Sequence, residues 1–265
     1  MTETGIYVYG VSRGLPGDAL ERVAGVGGAE VRVIEDEGLT AVVSPVSLGE
    51  FGEEALRRNL EDLDWLESTA RAHHAVVDAA AEHAVTVPLG LATVYRGDER
   101  ARSALRDRRE EFARALDRIT GRTEWGVKVY ADLAASTAGG GAETTSDTTS
   151  ANARPGTAYL KRRGTQRRDE EEARREILTM TDRVDDELCA IAATRRLHRP
   201  QDPQLSGERG WMILNAAYLV DDERAEEFRA AVARLAGTRP EIRMQLTGPW
   251  APYSFATEEE AWTES

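Results

Sequence analysis

The chain has 265 residues, 41% of them hydrophobic, enough apolar content and length for one large domain or two smaller ones, which excludes a disordered chain. Its 34 basic residues against 47 acidic ones leave a net charge of -13, which argues against a general binder of nucleic acid or of anionic membranes. A single cysteine, Cys189, excludes an internal disulfide and a cysteine metal cluster, and no long uncharged apolar stretch suggests a leader or a membrane span.

In chain order, residues 5–11 (GIYVYGV) read as a buried strand, β-branched and aromatic. Pro16 ahead of Asp18 to Val23 predicts a short helix with proline in its first turn. Val31 to Ile34 and Leu39 to Val43 read as two strands around a Glu37-Gly38 hairpin turn, with Pro45 closing the second. Leu56, Leu60, Leu63, Ala70, Val77 and Ala84 form one stripe at helical spacing, so a single long helix is expected over about 52–83. Residues 85–95 (VTVPLGLATVY) form an extended run interrupted by Pro88. A helix capped by Asp98 is expected to run to Ile119 and stop at Gly121, and residues 123–130 alternate like a strand.

Residues 134–157 are rich in Ala, Ser, Thr and Gly and read as a flexible insertion outside either core. A charged helix follows from Ala158 to about Arg195, then a short strand at Thr194 to Arg199 and the most apolar strand of the second half, Trp211 to Val220. Asp221 and Asp222 open a helix to Ala236, and Glu241 to Leu246 alternate as a last strand before an aromatic segment and an acidic tail. Both halves thus read β-α-β-β-α-β. The fold class expected is α+β with two domains: residues 1–121, split β-α-β-like with extra helices, and residues 122–265, a ferredoxin-like antiparallel sheet with a long helix.

Motifs that would carry chemistry are poor in context. Gly10 to Gly14 matches G-x-S-x-G, but only nine residues precede it, too few for the loop that completes an oxyanion hole, so it reads as a turn after the first strand. His74, Asp78 and Glu67 can share a helix face, yet no H-E-x-x-H occurs, and His73 beside the apolar stripe reads as a half-buried histidine with a structural partner. Gly25-Val26-Gly27-Gly28 lacks the third glycine of a dinucleotide fingerprint and reads as a loop. Lys161, Arg162, Arg163, Arg167 and Arg168 precede a run of acids, a pattern typical of a solvated or partner-facing helix rather than an RNA site. No catalytic residue, cofactor or metal is expected.

Pro249 and Pro252 lack backbone donors, which predicts that Gly248 to Phe255 leaves the ladder of the preceding strand and lays Trp250, Tyr253 and Phe255 across a core or against a partner. Two roles stay open at this point: a structural clasp and a partner-binding aromatic patch.

Several stretches together resemble the gas vesicle protein L/F family (GvpL/GvpF). They are Gly5 to Gly10, Leu39 to Ser44, Ala72 to Val77 (with His73), Val87 to Tyr95 (with Pro88), Asn215 to Val220 (with Tyr218), and Thr247 to Phe255. The last is the most specific. Ala251 and the Gly90-Leu91-Ala92 run depart from the family's usual residues. The resemblance implies a non-enzymatic, cytoplasmic protein associated with gas vesicles. It also implies binding to the small hydrophobic shell protein and to other accessory proteins during assembly, with no nucleic acid, membrane or small-molecule partner. The alternative is a small-molecule-binding or catalytic ferredoxin-like protein unrelated to vesicles.

Overall fold

A computed structural model describes residues 3–131, 155–200, 210–238 and 242–256. The chain forms two compact units: one runs up to Glu124 and takes the chain up again from Pro249, and the other spans Trp125–Gly248. The fold is α+β with two antiparallel sheets.

In the first unit, strands β1 (Thr4–Ser12), β2 (Arg32–Asp36), β3 (Leu39–Ser47) and β4 (Thr86–Pro88) lie in the order β2-β3-β1-β4, and β5 (Val94–Tyr95) also pairs with β1. The β2–β3 hairpin turns at Glu37 and Gly38, both at positive φ (45° and 84°), the geometry that matches the twist of two-residue hairpins. β3 does not stop at Pro45 but runs on to Ser47, paired with β1 through Ile6↔Pro45. β2 has ended at the partner of Val43, so Pro45 lies where β3 has one neighbour only, a place where proline is tolerated in sheets.

The helices of this unit are shorter than their periodicity suggests. Instead of one helix over 52–83 there are α1 (Leu48–Phe51), α2 (Glu53–Asn59) and α3 (Leu63–His83). The break is local chemistry: the Asp62 carboxylate accepts from the Asp64 and Trp65 backbone N–H groups at 3.1 and 3.2 Å and starts a new helix. The segment from Asp98 to Ile119 likewise divides at Arg108 into α4 (Asp98–Asp107) and α5 (Arg109–Ile119); Asp98 is the first helical residue and Gly97 the cap. Asp18 to Val23 is not a helix. It folds as successive turns closed by Ala19→Pro16, Glu21→Asp18 and Val23→Leu20 backbone bonds, which press Leu15 and Leu20 into the core.

In the second unit, β6 (Arg122–Ala131), β7 (Thr194–Leu197), β8 (Trp211–Asp221) and β9 (Ile242–Trp250) lie in the order β7-β8-β6-β9, the ferredoxin-like arrangement. Helices α6 (Pro155–Cys189) and α7 (Ala225–Ala236) supply Val184, Leu188, Phe228, Val232 and Leu235 to one sheet face, where they meet the alternating Trp125, Val127, Val129, Leu214, Ala216 and Tyr218. Phe228 is fully buried between Tyr218 and Trp125, with centroids 5.4 and 6.5 Å away. The insertion expected over 134–157 lies outside the described residues, except that α6 already begins at Pro155. β9 corrects one expectation: the strand does not end before Gly248 but continues through Gly248 and Pro249 to Trp250, with Gly248 taking the bend at φ 120°.

Candidate functional site

The first strand presents Tyr7 and Tyr9 to α3, and both are completely buried. Each hydroxyl accepts a backbone N–H from a loop. The Tyr7 oxygen accepts from Ala92 at 2.9 Å and lies 3.0 Å from His73 Nδ1; the Tyr9 oxygen accepts from Val26 at 2.8 Å and lies 2.6 Å from Ser44 Oγ. With one lone pair engaged by Ala92, the Tyr7 proton is directed to His73 Nδ1, which fixes the neutral imidazole with its proton on Nε2. The two loops so tied are unusual in backbone. Ala92 sits at φ 63°, and a Cβ on Gly25, next to Val26, would come within 2.4 Å of the Tyr9 hydroxyl, so the 25–28 loop is a glycine-dependent lid on Tyr9.

Burial of the ring and the neighbouring His74 lower the His73 pKa to about 4; the Leu89 backbone opposes this without overcoming it, and Nε2 makes no hydrogen bond of ordinary geometry. Burial likewise pushes the Tyr7 hydroxyl well above its usual pKa and raises that of Tyr9, so both stay protonated.

The segment after β9 returns to this cluster. Tyr253 packs over His73 and His74 at centroid distances of 6.0 and 5.2 Å, and Pro252 and Phe255 are buried. The buried Glu124 carboxylate grips the segment twice, accepting from the Ser254 N–H at 2.8 Å and from its hydroxyl at 2.6 Å, and Arg118 donates to the Phe255 carbonyl at 3.3 Å. Pro249 and Trp250, by contrast, face solvent, with Trp250 53% exposed.

The sequence-predicted residues thus divide. His73, Tyr253 and Phe255 lie in the first unit, with Pro88 in β4 paired to Gly10 of β1. Asn215 and Tyr218 belong to the second unit: the Asn215 side chain donates to the Arg199 carbonyl at 3.0 Å, and the buried Tyr218 donates to Asp185 at 2.5 Å. Sequence reasoning passed over Glu124, Ser44 and Asp185 as site residues. The alternation of Tyr7 and Tyr9 was a usable signal, whereas one acid in an alternating strand was not. Ser12, the serine of G-x-S-x-G, is the buried last residue of β1 and bonds to Thr86 Oγ1 at 2.8 Å. Glu67 pairs with Arg71, and with His74 and Asp78 they line a shallow groove of about 490 Å³ on α3. Among the described residues no three His, Cys, Asp or Glu side chains are grouped to hold a metal, and no helix is long and apolar enough to cross a membrane.

The family model of the gas vesicle synthesis protein GvpL/GvpF matches residues 5–257. The chain belongs to the GvpL/GvpF family. Gas vesicle protein L of Streptomyces sp. (strain CB03234) is 43% identical over 252 residues, 94% of this chain and 92% of that protein. Gas vesicle protein F2 of Halobacterium salinarum is 26% identical, over 96% of this chain and 93% of that one. The crystal structure of GvpF from Anabaena sp. PCC7120 matches with a TM-score of 0.67 at 21% identity, covering 99% of this chain and 100% of that chain, and supports the fold. GvpF from Microcystis aeruginosa matches with the same TM-score at 19% identity. Family membership gives the chain a gas vesicle-related role.

Proposed function

We propose that this chain is a non-enzymatic accessory or minor structural protein of gas vesicles, cytoplasmic and vesicle-associated. In this reading it acts in vesicle assembly by binding the small hydrophobic shell protein and other accessory vesicle proteins. The observation that carries the reading is the divided C-terminal segment: Pro252, Ser254 and Phe255 anchor it, while the neighbouring Trp250 ring is left in solvent. A large aromatic side chain exposed beside an anchored segment is the residue type that dominates interface energetics. The anchored half serves as clasp and the exposed half as contact.

Co-purification of the intact chain with each gas vesicle protein of its own cluster tests the reading. Retention of the shell protein or an accessory protein is expected. Failure to retain any of them, together with normal vesicles in a strain lacking the chain, would contradict it. A stoichiometric small-molecule ligand or a turnover activity would favour the unrelated ferredoxin-like alternative.

A further inference from the structure

The His73 ring is enclosed on several sides within the first unit. β1 brings Tyr7 and Tyr9 to it, with ring centroids 5.7 and 5.6 Å away, α3 itself brings His74 at 5.9 Å, and the segment after β9 brings Tyr253 at 6.0 Å. The 25–28 loop and β4, which also pack on α3, bring no titratable side chain. No carboxylate among the described residues hydrogen-bonds to the ring; Asp78, further along α3, acts on Tyr253 instead.

This enclosure suits the neutral ring only. A proton taken up at Nδ1 turns that atom from acceptor to donor. The Tyr7 oxygen, which already accepts from Ala92, then accepts twice and leaves its own proton without a partner, and the charged ring keeps an unpartnered Nε2–H. Water has to reach the imidazolium, and one cover is weaker than the others. β1 is paired with β3 on one side and with β4 and β5 on the other, and the 25–28 loop is closed by its own backbone bonds. Tyr253 sits instead in a single 3-10 turn, and its buried hydroxyl makes no hydrogen bond. The polar hold on that turn falls on its neighbours, Ser254 through Glu124 and Phe255 through Arg118.

We propose that residues 251–256 form an acid-opened latch: protonation of His73 lifts Tyr253 and the Ser254–Phe255 turn from α3 while the sheet beneath stays folded. Latch and proton exclude each other, so the coupling is reciprocal. With the ring at its ordinary 6.5 when uncovered and about 4 when covered, each pH step of one between those values favours the open form by about tenfold. A protonated Glu124 would loosen Ser254 in the same direction, so the test has to separate the two groups. The latch needs no partner and stands whether or not Trp250 is a contact.

The experiment is amide hydrogen exchange on the full chain between pH 7 and pH 5, corrected for intrinsic rates. The Ser254 and Phe255 amides, which donate to Glu124 and to the Pro252 carbonyl, report the latch, and the Val8 amide, which donates to the Thr93 carbonyl, reports the sheet. Protection at Ser254 and Phe255 is expected to fall by about tenfold or more over this range, without denaturant dependence, while Val8 stays better protected. His73→Gln, which keeps Glu124, is expected to remove most of that fall. Tyr253→Ala, read separately in case the glutamine variant folds poorly, is expected to move the His73 titration seen by NMR from about 4 towards 6.5. Protection that ignores pH, or is lost together with Val8, would overturn the proposal. So would an undiminished response in His73→Gln, which would assign the effect to Glu124, or an unmoved His73 titration in Tyr253→Ala.

Discussion

The two sheets share one strand order, second-third-first-fourth in their own numbering, yet they reach it by different first connections and fill it with different chemistry. In the second unit, a 35-residue helix links the first two strands, and the core is apolar, centred on Phe228. In the first, turns and a three-residue 3-10 helix make that connection, and no long helix is there to cover the tyrosine face. α3 and the glycine-bearing 25–28 loop cover it instead, with the two tyrosine hydroxyls tied to loop backbone and the His73 imidazole tied to the Tyr7 hydroxyl. A strand order therefore does not dictate a core. Where the crossover is short, polar side chains have to satisfy the loops that replace it, because buried backbone donors without partners are costly.

The sharpest way to break this contrast is to delete the apolar centre of the second unit. Phe228→Ala is expected to cost about 3–5 kcal/mol, and calorimetry should show that loss in the second unit's transition. The first unit answers to pH instead. His73 is held neutral with a pKa of about 4, below its ordinary 6.5, so the unfolded chain binds the proton first and stability falls as pH drops from 6.5 towards 4. The loss should approach about 3 kcal/mol at pH 4, with about half of it already present near pH 5.5. Denaturant titrations across this range should show it, and His73→Gln should flatten most of it. His198, also depressed by burial and by Arg196, leaves a smaller slope of the same sign.

Tyr7→Phe removes the acceptor of the Ala92 N–H and the donor to His73 at once, for an expected loss of about 1–3 kcal/mol in urea unfolding. Tyr218→Phe should cost less, about 0.5–1.5 kcal/mol, because Asp185 keeps its ion pair with Arg195. The smallest effect is a gain. Ala92→Gly relieves a left-handed backbone and should stabilise the first unit by about 0.5–1 kcal/mol, read from the same unfolding curves.

The second unit was the more legible from sequence. Its strands are dense in β-branched and aromatic residues, as at Trp211 to Val220, and its helices are long enough for periodicity to show, so element order alone led to the ferredoxin-like arrangement. The helix breaks of the first unit at Asp62 and Arg108 were hidden because the apolar stripe continues in register across them. Pro16 and the helix-favouring residues after it suggested a helix, whereas the segment closes as successive three-residue-spaced turns that no local residue signals. The aromatic segment at 248–255 was legible as a special feature, but neither its destination nor its division was. That Glu124 grips Ser254, and that Phe255 is buried while Trp250 is not, depends on contacts between residues more than a hundred positions apart.

That division is what the functional reading rests on, and Trp250→Ala tests it most directly, with Phe255→Ala as its reference. The account predicts that Trp250→Ala melts within a degree or two of the unmodified chain but no longer retains the shell or accessory protein that the unmodified chain retains. Phe255→Ala is predicted to lose several kcal/mol of stability, as buried aromatic truncations do. A Trp250→Ala variant that unfolds as readily as Phe255→Ala, or one that folds and captures its vesicle partner undiminished, would contradict the account.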